Sequence, residues 1–498
     1  MQMSKLLIAR GLINVNDVAK AVERQQAEGG RLDDSLVALN LITQEQLDEV
    51  NVFKPASPMS IEESGISQSN LMPLLLKFMY VEQRDTPAEL MDGLKLTYNI
   101  VKALLDDAVE MKWLEMLGSG TSGGTGGVGG VAKMRYALTS RGRDIAAEAQ
   151  NQNHYVGPAP VSLESYQKQI AKQSITGEQV GEERIRECFS DLVVPDKLTR
   201  QIGPAINAGR AMLLYGAAGN GKTSAAMRIA RIFSDLIFVP YCIEVDGQII
   251  VIHDASTHVP ADTVDLDAAL PEQSKGLRRD EIDQRWTTCR RPMVLAGGEL
   301  TLDMLDLSYN EASRFYEAPI QLKALNGTLI IDDFGRQAEA PERFLNRWIV
   351  PMESRIDTFK LKTGRAFTVP FDELLIFATN LEPSELIDPA FLRRIPYKIE
   401  LFGPTFDEYR EIFKQVAEDA GMEIPEDILI FVIDQLELQD SLHLGFYQPK
   451  FIADHVIAAC RFRDIPPVFS RELITEALNN LYLNFSLKQG AAAAQPDP

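Results

Sequence analysis

Cysteine is scarce in this chain, and none of its four copies, Cys188, Cys242, Cys289 and Cys460, stands at C-x-x-C spacing. That speaks against a disulfide framework and a zinc ribbon, and a reducing, cytoplasmic setting is expected. Long apolar runs are missing as well. No stretch approaches the ~18 apolar residues of a membrane span, and the opening "MQMSKLLIARGL" has neither a long apolar core nor a small-residue cleavage site, so a soluble protein without a span is expected. Basic residues are outnumbered: 50 Lys and Arg against 71 Asp and Glu leave a formal net charge of −21. A surface that coats nucleic acid needs clustered cations, so this balance disfavours general nucleic-acid binding. With 45% hydrophobic and 24% charged residues over 498 positions, the chain is globular and should divide into about three or four domains.

Glycine, by contrast, is concentrated where the backbone must approach something closely. "LLYGAAGNGKTS", residues 213 to 224, fills the pattern G-x-x-x-x-G-K-T with Gly216, Gly221, Lys222 and Thr223. Ala217, Ala218, Gly219, Asn220 and Ser224 complete the candidate nucleotide-binding loop. An apolar run from Ala211 to Tyr215 precedes it, and "SAAMRIARIF" follows at helical spacing, which is the strand, loop and helix context the motif requires. Backbone N–H groups of such a loop converge on phosphate oxygens, Lys222 reaches the terminal phosphates of ATP, and the Thr223 hydroxyl ligates Mg2+.

Hydrolysis also needs an acidic strand end beside that loop. "GTLIIDDFGR" offers one: Thr328 to Ile331 read as a buried strand ending in Asp332, placed to hold the metal through water, and Asp333, placed to polarise the attacking water. "ELLIFATNLEP" is a second buried strand, ending in Asn380, whose amide suits orientation of the lytic water. In "IDPAFLRRIPYKIEL" the adjacent Arg393 and Arg394 have no evident partner in their own segment. Supplied to the γ-phosphate of a neighbouring subunit, they would stabilise transition-state charge, and that reading requires a ring; a surface salt bridge is the plainer role.

As a set, the Walker A loop Gly216 to Thr223, "LIIDDF" as Walker B, Asn380 as sensor 1 and "FLRRI" as arginine fingers make the chain resemble an AAA+ ATPase over about residues 175 to 485. "FKLKTGRAFTVP" resembles the hairpin that MoxR-like members, with their helix-2 insert, carry before sensor 1. The resemblance implies an α/β P-loop core at 175–403, a helical lid at 404–485 in which Lys450 takes the sensor 2 position, ATP and Mg2+ as cofactors, and a hexameric homo-oligomer that remodels a partner. Most members have Asp-Glu where this chain has Asp332-Asp333, which bears on the rate of hydrolysis more than on ATP binding. Residues 241 to 320 read as a large insertion. Within it His253, Asp254 and His258 have no standard ligand spacing, and Phe315 and Tyr316 are open to a pore-gripping or a core-packing role.

Two small units precede the core in this multidomain reading. Residues 1–55 contain an internal repeat in which Leu7 matches Leu36, Leu12 matches Leu41, Ile13 matches Ile42 and Val18 matches Leu47. This helical domain resembles the N-terminal domain of type II secretion and type IV pilus ATPases, some of which bind cyclic di-GMP. Of the family's opening Arg-Leu-Gly only Arg31 and Leu32 remain, with Asp33 and Asn40 where glycines would be and Gln2, Met3 and Ser4 opening the first repeat. A carboxylate beside a phosphodiester favours a protein-docking module over a dinucleotide sensor. Residues 70–150 read as three helices, a hairpin with the glycine-rich tip "GSGTSGGTGGVGG" and a further helix, an order that resembles a winged helix. Asp106, Asp107 and Glu110 on its third helix make DNA an unlikely partner and leave a protein substrate, or a secretion or pilus component, bound through residues 1–150. Residues 151–174 read as a linker and 486–498 as a disordered tail.

Overall fold

The computed structural model describes residues 7–8, 12–28, 32–119, 134–176, 179–190, 196–233, 235–260, 282–386, 392–437 and 444–482. The opening residues Gln2 to Ser4, Arg31, the glycine-rich tip and the tail 486–498 lie outside them.

The internal repeat is visible as matched packing. Leu7 and Leu36, Ile13 and Ile42, and Val18 and Leu47 are all buried, and the same backbone closure recurs twice, Leu12 N to Leu7 O and Leu41 N to Leu36 O, both at 3.0 Å. Thr43 starts the helix Gln44–Phe53 with a reciprocal capping box, its hydroxyl accepting from Gln46 N. Next come the helices Gln68–Glu82, Pro87–Leu94 and Tyr98–Glu110, an antiparallel hairpin of Leu114–Ser119 with Met134–Leu138, and the helix Ser140–Gln152. Thr86 caps the second of these, as its position before Pro87 predicts.

Residues 151–174 do more than connect. Val161–Ser162 forms the edge of a sheet ordered 308–310, 315–317, 248–251, 242–245, 161–162, and the helix Leu163–Lys172 packs behind it. The reason is in the side chains: Tyr166 and Ile170 are buried apolar anchors, and the almost fully buried Gln169 and Gln173 spend their amides on protein partners. Gln173 Nε2 donates to Asn326 Oδ1 (2.8 Å), Asn326 Nδ2 donates to Asp372 Oδ2 (2.7 Å), and Arg291 Nη1 donates to the carbonyls of both Gln173 and Asn326 (2.8 Å each).

The region expected as one insertion is also divided. Four strands within 241–320 belong to that second sheet, Trp286–Arg290 pairs with Leu236–Pro240, and Met293–Ala296 joins the main sheet. The main sheet has five parallel strands, β1 (Met212–Tyr215), β2 (Met293–Ala296), β3 (Thr328–Ile331), β4 (Leu374–Thr379) and β5 (Tyr397–Glu400), in the order β5-β1-β4-β3-β2. β1, β3 and β4 are nearly continuous apolar runs because helices cover both faces. Parallel strands point their carboxyl ends the same way, so the residues just after β1, β4 and β3 meet at one rim. Beyond β5, the helices Phe406–Asp419, Glu426–Glu437, Gln448–Phe462 and Arg471–Leu481 enclose their own core around Phe413, Leu429, Ile452, Val456 and Leu478.

Candidate functional site

The site is built on that rim. β1 delivers the chain at Gly216, where φ is +138° and a Cβ would stand 2.3 Å from the Leu401 carbonyl oxygen, so no larger residue fits without moving the β5 end. The loop then runs to Gly221, after which the helix Lys222–Arg231 begins and packs on β1, β3 and β4. Asn220 fastens it from the side, its Nδ2 donating to Leu401 O at 2.7 Å. Lys222 is buried, and its ammonium donates to Gly216 O (3.0 Å) and Ala217 O (2.8 Å). Burial lowers its pKa, and the carboxylates of Asp332 and Asp333 oppose that shift.

The acidic end of β3 lies directly opposite. Thr223 Oγ1 donates to Asp332 Oδ2 at 2.7 Å, and Asp332 N donates to Ala296 O of β2 at 2.7 Å. Asp333 has φ +47°, a left-handed conformation uncommon outside glycine, and its N–H donates to Asp332 Oδ1 at 3.0 Å. Asn380, just past β4, donates its Nδ2 to Asp333 Oδ1 at 3.3 Å. The tight turn is held from below by Gln337, which sequence reasoning missed. Its Nε2 donates to the carbonyls of Asp332 (3.2 Å) and Asp333 (3.3 Å), and its Oε1 accepts from Gly335 N (2.8 Å). Thr379 Oγ1 pins Phe334 O at 2.7 Å. Nothing in the local pattern marks Gln337, because its role exists only once the turn is formed.

A cavity of about 470 Å³ spans these parts. Ala218 to Ser224, Asp332, Asp333 and Asn380 line it together with Phe189, Leu198, Gln201, Phe402, Phe446 and Tyr447, of which Tyr447 lies against Gly219. Polar groups and rings lining one cavity suit a ligand with a charged head and a flat apolar body. The Thr223 hydroxyl and the Asp332 carboxylate form a hard oxygen pair whose chemistry fits Mg2+.

Three expected residues are not brought to this cavity. Lys450 is exposed on the helix Gln448–Phe462; the neighbouring Tyr447 takes the inward place, its ring lying against Gly219. Arg393 is exposed, and Arg394 donates its Nε to Glu353 Oε1 at 2.6 Å within its own chain. His253, Asp254 and His258 do not assemble as ligands, and among the described residues no group of three such side chains could hold a metal. His258 Nδ1 accepts from Asp254 N (2.9 Å) while its Nε2 faces Lys323 O (3.0 Å), which assigns a neutral ring with the proton on Nε2. Tyr316 is buried in the second sheet, its hydroxyl accepting from Lys362 N, so it packs the core, and Phe315 stands beside it against Tyr155.

Comparison with known proteins adds the following. A family model described as a domain of unknown function (DUF8689) matches residues 405–480, the helical unit beyond β5. No curated protein matches. Among solved structures, a mutant of RuvB from Thermotoga maritima aligns at TM-score 0.32 and 15% identity, covering 61% of this chain and 71% of that one. NtrX from Brucella abortus aligns at TM-score 0.36 and 13% identity in complex with ADP, covering 68% of this chain and 66% of that one. In complex with ATP it aligns at 0.35 and 14%, covering 56% and 54%. This chain thus spans about half the length of the ATP-bound NtrX structure. At that level of similarity it is the geometry of the present site that bears on function. No helix among the described residues is long and apolar enough to cross a membrane.

Proposed function

We propose that this chain binds ATP with Mg2+ in the cavity at the rim of the parallel sheet and hydrolyses it, as an AAA+ type P-loop ATPase. The observation that carries the reading is the 2.7 Å hydrogen bond from Thr223 to Asp332, which joins the start of the P-loop helix to the acidic end of β3 beside the buried Lys222. Lys222 exchanges two neutral carbonyl partners for charged phosphate oxygens, a stronger pairing. Thr223 and Asp332 hold the metal, which neutralises phosphate charge when bound. Asp333, backed by Asn380, orients and polarises the water that attacks the terminal phosphoryl group, and Gln337 keeps the turn in register. The rings that line the cavity seat the base.

Arg393 and Arg394 serve the ATP of a neighbouring subunit in a hexameric ring, and turnover drives remodelling of a protein partner selected by residues 1–150. The acidic third helix of the second unit supports a protein over DNA: Lys102 is already paired with Asp106 at 2.6 Å. A second reading is a slow nucleotide-dependent regulator or scaffold, tied to secretion, pili or transcription. The Arg394 to Glu353 pair and the short Asp333 carboxylate favour it. Nucleotide titration of Lys222→Ala tests the shared premise: binding should be abolished, and wild-type affinity would overturn both readings.

A further inference from the structure

A second cleft, of about 540 Å³, opens where residues 154–156 meet the ends of the strands Gln248–Val251 and Phe315–Glu317 and the short helix Ile320–Lys323. One wall is aromatic, with the rings of Tyr155 and Phe315 meeting edge to face at 5.8 Å between centroids. Its obvious charges are already spent. Lys323 Nζ donates to Asp254 Oδ2 at 2.7 Å, and the other Asp254 oxygen accepts from Ser256 N (2.9 Å) and Oγ (2.6 Å). The Tyr155 hydroxyl donates to Pro158 O at 2.8 Å. Among the described residues, three lining groups remain with neither a side-chain hydrogen bond nor an ion pair: the exposed Glu317 carboxylate and the imidazoles of His154 and His253. Burial disfavours the protonated form of His253, so its ring presents an acceptor nitrogen, while the ring itself lies against Tyr241 and stacks on His258.

What is left over is therefore acceptors and the Phe315 ring, with one uncompensated negative charge. An anion has no free cation to meet here. A compact ammonium would meet Glu317 but gain little from the rings, because it is strongly hydrated and has no plane to stack. A guanidinium matches both features, since it is planar, carries five donors in a fixed fork, and stacks on aromatic faces. We propose that this cleft seats an arginine side chain of a polypeptide partner. Its volume exceeds what one side chain fills and leaves room for the flanking backbone, and the overall charge of −21 draws basic partners towards the molecule. The inference does not rest on the nucleotide site.

The test uses the full chain and three probes: a blocked Gly-Ser-Arg-Ser-Gly peptide, its Lys counterpart, and free L-arginine, titrated by calorimetry at low salt. The Arg peptide should bind saturably and more tightly than the other two. Glu317→Gln, an exposed change that leaves the strand intact, should weaken it about tenfold, the scale of a lost hydrogen bond to a charged group. Phe315→Leu should weaken it as well, and if that variant fails to fold, Glu317→Gln alone decides. Absence of saturable binding, equal binding of the Lys peptide, or indifference to Glu317→Gln overturns the proposal. Free arginine binding as tightly as the peptide would overturn the polypeptide source and assign the cleft to a small guanidinium compound.

Discussion

The ring of Tyr447 lies on Gly219: a Cβ built at Gly219 would stand 2.4 Å from the ring's Cε1, and Phe446 N donates to Gly219 O at 3.3 Å. The helical unit beyond β5 is thus docked on the glycine loop after β1 through a glycine at φ +86°. Gly219→Ala should force the ring aside and strain the loop by about 1–2 kcal/mol. We expect a lower melting temperature and faster amide exchange at Phe446 and Tyr447, with exchange in the helix Phe406–Asp419 unchanged. Unaltered exchange at those two amides would mean the docking contributes nothing.

Asp333→Asn removes a charge next to Asn380 without changing shape. ATP affinity should be kept while hydrolysis falls by about 10²-fold or more, the scale of a lost general base. Asn380→Ala should act in the same direction and combine less than additively with it, because the two side chains share a hydrogen bond. Phosphate release under single-turnover conditions separates these effects from nucleotide binding.

Arg394→Ala breaks an ion pair with Glu353 whose two side chains are both partly exposed, so its cost to stability should stay below about 1 kcal/mol. In a ring, it should leave ATP affinity intact and lower hydrolysis by about 10²-fold or more. Mixing it with Lys222→Ala should then restore part of the activity. Assembly of both variants with no rescue on mixing would place the arginines at the service of their own chain.

Acid should destabilise the second sheet through His258. Burial is the main cause that lowers its pKa from 6.5 to about 4, with neighbouring His253 adding to it, while Asp254 and the Lys323 carbonyl oppose it. Between those values the unfolded chain takes up a proton that the folded chain refuses, so stability falls as pH drops from 6.5 towards 4. The loss from this group should reach about 3 kcal/mol. Urea titrations across that range should show the slope, and His258→Gln should flatten it.

The glycine loop and the acidic strand end that the structure brings together were legible because each is a local pattern. Gly216, Lys222 and Thr223 sit within one loop, and Asp332 follows its own strand, so spacing alone names them. The internal repeat was legible for the same reason, Leu7 and Leu36 being sequence equivalents that are buried alike. Tyr447 was not, since it acts on a loop that only folding brings near, and Gln337 was not, because a glutamine bonding the carbonyls of its own turn has no sequence pattern to mark it. The misreading of 151–174 as a linker has a physical source too. Its polar and proline-bearing composition suggests solvent, but Gln169 and Gln173 are polar in order to satisfy buried partners.

Those glutamines decide where the molecule can be cut. A fragment beginning at residue 175 would keep every residue of the glycine loop and its acidic partner, yet Asn326 would lose the Gln173 side chain and the Ile170 carbonyl, and Arg291 would lose the Gln173 carbonyl. Asn326 sits two residues before β3 and holds Asp372, which precedes β4 by the same interval. Dissection at that boundary would therefore damage the roots of the two strands whose tips bear Asp332 and Asn380, and an excised core would lose the site's shape for reasons of carpentry rather than chemistry.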